Sequence, residues 1–108
     1  MPELRPKLLV VEDDSSLRRS LCTTLTFQGF EAVEARNGEE ALITVLNIDC
    51  EAVLLDINMP GIGGVETCRR IRRKFTRLPV LMLTVRDEED DKVEALEAPP
   101  PAFSDGLG

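Results

Sequence analysis

The chain has 108 residues, enough for one domain with one modest hydrophobic core and not for two. With 43% hydrophobic and 31% charged residues it reads as soluble and globular, and a formal net charge of -7 argues against direct nucleic-acid binding by this segment. The chain has no histidine, which excludes Ser-His-Asp and Cys-His catalysis and histidine-containing metal sites.

In chain order, Lys7-Leu8-Leu9-Val10-Val11 is an apolar run that stops abruptly at Glu12-Asp13-Asp14, the pattern of a strand buried on both faces. Asp14 or Ser15 can cap a helix that carries Leu17, Leu21, Cys22 and Leu25, and Gly29 stops it. Phe30 to Ala35 alternates apolar and charged residues, as a half-exposed strand near a sheet edge does. Asn37-Gly38 opens a second helix with Ala41, Leu42, Val45 and Leu46 on one face. Ala52-Val53-Leu54-Leu55 is the next buried strand and ends at Asp56. Asn58 to Gly64, rich in Pro and Gly, is a loop. A helix follows from Val65 to about Lys74, with Val65, Cys68, Ile71 and Phe75 inward and Arg69, Arg70, Arg72 and Arg73 on a solvated face. Pro79 to Thr84 is a further strand. Asp87 to Ala98 reads as a short acidic helix that buries Val93 and Leu96. Pro99 to Gly108 reads as an irregular tail, which leaves residues 1–98 as the domain and 99–108 outside it.

Strands and helices that alternate with short connections specify an α/β doubly wound parallel sheet. No apolar run approaches the roughly 20 residues needed to cross a bilayer. The start, MPELRPK, lacks the apolar core of a signal peptide, so the expected location is the cytoplasm, away from membranes. Cys22, Cys50 and Cys68 are odd in number and form no CxxC, as expected of reduced, partly buried residues.

In an open α/β sheet the functional crevice lies beyond the carboxyl ends of the strands. Three strand ends here carry polar residues in apolar settings: Glu12-Asp13, Asp56 and Thr84. On parallel strands these ends meet at one edge. Crowded carboxylates repel unless a cation joins them. A set of oxygen donors with neither imidazole nor thiolate favours Mg2+. Mg2+ with a carboxylate and a hydroxyl is an inventory for phosphoryl transfer. Asp14 is read as a helix cap only.

The segments Leu9-Val10-Val11-Glu12-Asp13-Asp14, Asp56-Ile57-Asn58-Met59-Pro60-Gly61-Ile62-Gly63-Gly64-Val65-Glu66 and Leu83-Thr84 resemble the receiver domain of two-component response regulators. The likeness runs from about residue 6 to about residue 98 and is nearest to receivers of the winged-helix transcription-factor subfamily. It implies a flavodoxin-like receiver fold in which Asp56 is the phosphoacceptor, attacking a phosphohistidine on a sensor histidine kinase. It implies Mg2+ bound by Asp13, Asp56 and the backbone carbonyl of Asn58, with Glu12 reaching it through water. Thr84 would give its hydroxyl to the aspartyl phosphate, and Pro60 and Gly64 would shape the loop, Gly64 by an unusual backbone angle. Such a domain is no enzyme in the ordinary sense; it assists its own phosphorylation and dephosphorylation.

The resemblance breaks after Ala98. Receivers continue into a fifth strand ending in Lys-Pro and a fifth helix, whereas no lysine follows Lys92, and Gly106 stands about where the family's lysine would be. The expectations are a phosphate without its lysine counter-charge, impaired signalling, and loss of the family's dimerisation face. The strand Pro79–Leu83 would be left as a bare apolar edge, which predicts self-association through it. Two other functions compete with the phosphoacceptor. One is a pseudo-receiver that binds or scaffolds without being phosphorylated. The other is a Mg2+-dependent phosphatase-type hydrolase, disfavoured because Asn58 stands where such enzymes place a second acid.

Overall fold

The computed structural model describes the backbone of residues 5–85 and 93–97 and the side chains of residues 5–83. Its elements are β1 (Lys7–Val11), α1 (Ser15–Phe27), β2 (Glu31–Ala35), α2 (Gly38–Asn47), β3 (Ala52–Asp56), α3 (Gly63–Lys74), β4 (Val80–Val85) and β5 (Val93–Glu97). The sheet order is β2-β1-β3-β4-β5. The first four strands run parallel, so the expected doubly wound α/β core is present. The order reverses between β1 and β3, because β1 leads outward to β2 and the chain then returns across it to β3. That switch point leaves a crevice at the carboxyl ends of β1 and β3.

Local chemistry fixes the helix boundaries. Asp14 has extended backbone angles and accepts from the amides of Ser16 and Leu17, at 2.9 and 3.1 Å, as the cap of α1. Gly29, at φ 101°, turns the chain out of that helix. Asn37 caps α2 by accepting from the Glu40 amide at 2.8 Å.

Strand alternation sends Leu9 and Val11 to one face of the sheet and Leu8 and Val10 to the other. On the first face α2 and α3 seal the core: Leu9, Val11, Ala35, Val53, Leu55 and Val80 pack with Ala41, Val45, Cys68 and Ile71. Leu9, Val53, Leu55 and Val80 have no exposed surface. The second face has only α1 among the described helices, and α1 packs on β1 and β2. Leu8 and Val10 are buried there, while Leu54, Leu81, Leu17, Leu21 and Leu25 remain half-buried.

Several expectations fail in detail. Leu46 and Val65 point outward, at 58% and 53% exposure, and Gly38 and Thr67 take the inward places. A side chain at residue 38 would collide with Thr67 Oγ1 and Ile62, so only glycine lets α2 sit this close to α3. Arg72 is half-buried, and its Nη1 donates to the Leu78 carbonyl at 2.9 Å. Cys22 and Cys68 are buried, Cys50 is half-buried, and all three are free, as expected.

The main correction concerns the segment after β4. Val93–Glu97 is a strand rather than part of a helix, and it pairs antiparallel with β4 from Leu81↔Glu97 to Val85↔Val93. The physical reason is that β4 offers a row of unpaired backbone groups that a neighbouring segment can satisfy. The edge of β4 expected to be bare, and to drive self-association, is thus occupied by the chain itself. The rest of the expected acidic helix and the tail Pro99–Gly108 lie outside the described residues.

Candidate functional site

Each acidic residue of the site is placed by a strand that ends under it. The β1 ladder continues one residue beyond the strand, with the Glu12 amide donating to the Ala35 carbonyl at 3.1 Å. Glu12 is therefore held at the sheet and buried at 3% exposure, while Asp13 is exposed. Asp56 is the last residue of β3, at 4% exposure. The next amide, of Ile57, donates to the Leu83 carbonyl of β4 at 3.0 Å, and the Ile57 carbonyl accepts from the Gly64 amide at 3.2 Å. Asp56 is thus clamped between the sheet and the first turn of α3.

Gly64 allows this clamp. A Cβ there would run into the Asp56 carbonyl and lie 2.7 Å from the Ile57 Cα. Lack of space, not backbone angle, requires this glycine. The left-handed angles in the loop belong instead to Gly61 and Gly63, at φ 80° and 79°. Met59, at 8% exposure, packs into the core and anchors the loop, while Pro60 is exposed. The Asn58 amide donates to Asp56 Oδ1 at 3.1 Å.

Glu12, Asp13 and Asp56 each offer a carboxylate oxygen, and the three oxygens lie within 4.8 Å of one another. Glu12 accepts from the Asp14 amide through Oε2 at 3.0 Å, but its Oε1 is buried without a hydrogen-bond partner. Burial pushes the Glu12 carboxyl up to about 7; the Asp14 amide opposes this, and the charges of Asp56 and Asp13 add to it. Asp56 is raised as well, first by burial and then by the Asp13 charge, against the pull of the Asn58 amide. An unpaired buried oxygen and mutually repelling carboxylates are what a bound cation would satisfy. The donors are all oxygens, so a hard cation fits the site.

Of the expected residues, the carboxylates of Glu12, Asp13 and Asp56 come together, and Asn58 joins them through its amide on Asp56 Oδ1. Thr84 lies on β4, one residue beyond the Asp56↔Leu83 pair, and its side chain lies outside the described residues. Reading the sequence missed Arg18. It is 8% exposed, and it donates from Nη1 to the Glu12 carbonyl at 2.9 Å and from Nε to Glu34 Oε1 at 2.8 Å. The available signal was its spacing: Arg18 lies four residues before Cys22 and so shares the buried stripe of α1.

Residues 8–100 match the family of the response regulator receiver domain. Response regulator MprA of Mycobacterium sp. (strain KMS) is 41% identical over 92 residues, 85% of this chain and 40% of the relative. Transcriptional regulatory protein ResD of Bacillus subtilis (strain 168) is also 41% identical over 92 residues, 85% of this chain and 38% of the relative. The chain therefore spans about two fifths of the length of these curated relatives. The name of ResD accords with the expected likeness to a transcription-factor subfamily. Among solved structures, response regulator TrrA of Thermotoga maritima, in complex with Mg(2+)-BeF, superposes with a TM-score of 0.73 at 38% identity, covering 76% of this chain and 71% of that one. TrrA in complex with the histidine kinase ThkA gives a TM-score of 0.72 at 36% identity, covering 81% and 75%.

Proposed function

As a member of the response regulator receiver domain family, this chain is a signalling domain of the two-component type, and we propose that Asp56 is its phosphoacceptor. The observation that carries this reading is the cluster of Glu12, Asp13 and Asp56 oxygens within 4.8 Å of one another. The donor in this reading is a phosphohistidine of a sensor histidine kinase, because the chain has no histidine of its own. The likeness to TrrA, seen in complex with a histidine kinase, supports that partner.

The chemistry follows from the placement of Asp56. One carboxylate oxygen attacks phosphorus in line with the phosphorus–nitrogen bond of the donor. A phosphorus–oxygen bond forms, and the imidazole leaves with the electron pair. The Asn58 amide on Oδ1 and the ladder bond at Ile57 hold the carboxylate still during the attack. Mg2+, held by Asp13, Asp56 and the Asn58 carbonyl with Glu12 through water, would neutralise the charge that gathers on the transferred phosphoryl oxygens. The likeness to TrrA in complex with Mg(2+)-BeF supports that ion. Thr84 is proposed to donate its hydroxyl to the aspartyl phosphate. The reading places the domain in the cytoplasm; no helix among the described residues is long and apolar enough to cross a membrane. Transcription regulation, the activity in the name of ResD, is proposed for a longer protein that contains such a domain.

A second reading, a pseudo-receiver that binds partners without being phosphorylated, has two observations in its favour: the strand beside β4 is antiparallel, and residues 93–108 of this sequence contain no lysine. Incubation with acetyl phosphate and Mg2+, followed by intact-mass measurement, separates the two. The phosphoacceptor gains one acid-stable, base-labile phosphoryl group, and the Asp56→Asn variant gains none. An unmodified parent protein establishes the pseudo-receiver.

A further inference from the structure

We propose that Arg18 is a positioning residue of the acidic site, which fixes the peptide between Glu12 and Asp13 and so aims both carboxylates. The inference rests on the reading of Glu12, Asp13 and Asp56 as a cation-binding site. Arg18 touches none of the carboxylates of that site. Its Nη1 donates instead to the Glu12 backbone carbonyl at 2.9 Å. That carbonyl belongs to the same planar peptide as the Asp13 amide, so holding its direction sets where the Asp13 Cα begins.

The corner between β1 and α1 is tied at several backbone amides. The Glu12 amide is bonded to Ala35, and the Asp14 amide to Glu12 Oε2. The Ser16 and Leu17 amides bond to Asp14 Oδ1, and the Arg18 amide bonds to the Asp14 carbonyl at 2.9 Å. The Asp13 amide has no such tie, and the peptide it belongs to is the one Arg18 holds through the Glu12 carbonyl.

The residue type is specific to the task. Its planar guanidinium presents donors in a fixed fork, so Nε can bond Glu34 Oε1 at 2.8 Å while Nη1 bonds the carbonyl. A lysine at residue 18 offers one nitrogen and cannot hold both with that geometry. Glu34, on the edge strand β2, balances a charge that would otherwise be costly at 8% exposure. All the carboxylate oxygens of Asp13 and Asp56 stay free of Arg18 and available to a cation. A salt bridge that served stability alone would need only Glu34; the bond to the strand end is what ties Arg18 to the site.

The test compares Arg18→Met, Arg18→Lys and Glu34→Gln with the parent, by amide NMR without metal and by titration with Mg2+. Arg18→Met should displace or broaden the Asp13 and Asp14 amide signals before any metal is added, and weaken Mg2+ binding about tenfold, as loss of an outer partner of a metal ligand does. Glu34→Gln removes the same ion pair but leaves the carbonyl bond, so it should lower thermal stability and keep the parent's Asp13 signal and Mg2+ affinity. Should Arg18→Met fail to fold, Arg18→Lys decides. Its single nitrogen is drawn to Glu34, so the Asp13 amide should move and Mg2+ binding should weaken. Parent-like Asp13 signals and Mg2+ affinity in the Arg18 variants overturn the proposal, as does a loss in Glu34→Gln equal to that in Arg18→Met. A parent that binds no Mg2+ overturns the cation-site reading instead, and the metal-free Asp13 signal still decides the role of Arg18.

Discussion

The β1–β3 half of the sheet and the β4–β5 half differ in how completely each is determined. At the carboxyl ends of β1 and β3, Glu12 and Asp56 are each held by a strand end and a backbone amide, and both are buried. Across β4, the face away from α2 and α3 has no helix over it among the described residues, and Leu54 and Leu81 are half-buried. The contrast teaches that a site can be assembled by one half of a sheet while the neighbouring half uses a pairing the parallel pattern does not forecast.

The largest effect that can break this contrast is on Asp56. Asp56→Asn should abolish labelling by acetyl phosphate while the protein keeps its far-ultraviolet circular dichroism; residual labelling at the parent level would move the acceptor elsewhere. Packing comes next. Leu55→Ala, in the sealed face, should cost about 2–5 kcal/mol in denaturant unfolding. Leu81→Ala, in the half-covered face, should cost clearly less, and equal losses would mean that the two faces are sealed alike. Gly64→Ala should cost about 1–3 kcal/mol by overpacking against the end of β3, and should weaken Mg2+ binding because Asp56 must shift to admit the methyl.

The smallest effect is electrostatic. The Glu12 carboxyl has an ordinary value of 4.5 and is pushed up to about 7 in the folded chain, chiefly by burial. Between these values the folded state binds more protons than the unfolded state, so metal-free stability should fall as pH rises through that window. Mg2+ competes with those protons, so its affinity should rise over the same window and its presence should flatten the stability profile. Chemical denaturation at several pH values, with EDTA or with Mg2+, reads both trends. A metal-free stability that rises from pH 5 to 7 would contradict the raised, buried carboxyl of Glu12.

The contrast also governs how much was legible in the sequence. The runs ending at Glu12-Asp13 and at Asp56 announced their strands because an apolar run cut off by an acid has few other meanings in a parallel sheet. Asp14 and Asn37 announced helix starts through their capping chemistry. Leu46 and Val65 were misplaced because an apolar residue is not obliged to be inside. Arg18 was missed because a charged helix residue is ordinarily solvated, and its partners, Glu34 and the Glu12 carbonyl, become neighbours only in the fold. Val93–Glu97 reads locally as a helix with an acidic start, and the backbone groups of β4 that draw it into a strand belong to another segment. Gly64 was recognised as special for the wrong reason, since a collision with the Asp56 carbonyl leaves no trace in local sequence.

The most direct test of the central claim follows the amide signals of the parent protein through two additions, first Mg2+ and then beryllium fluoride, the anion of the TrrA complex. Mg2+ should shift Glu12, Asp13, Asp14, Asp56 and Asn58, and the anion should then shift Asp56, Ile57 and the Thr84 strand end. Neither shift should occur in Asp56→Asn at the same concentrations. Signals at Asp56 and Glu12 that ignore both additions, or identical shifts in parent and variant, would contradict it.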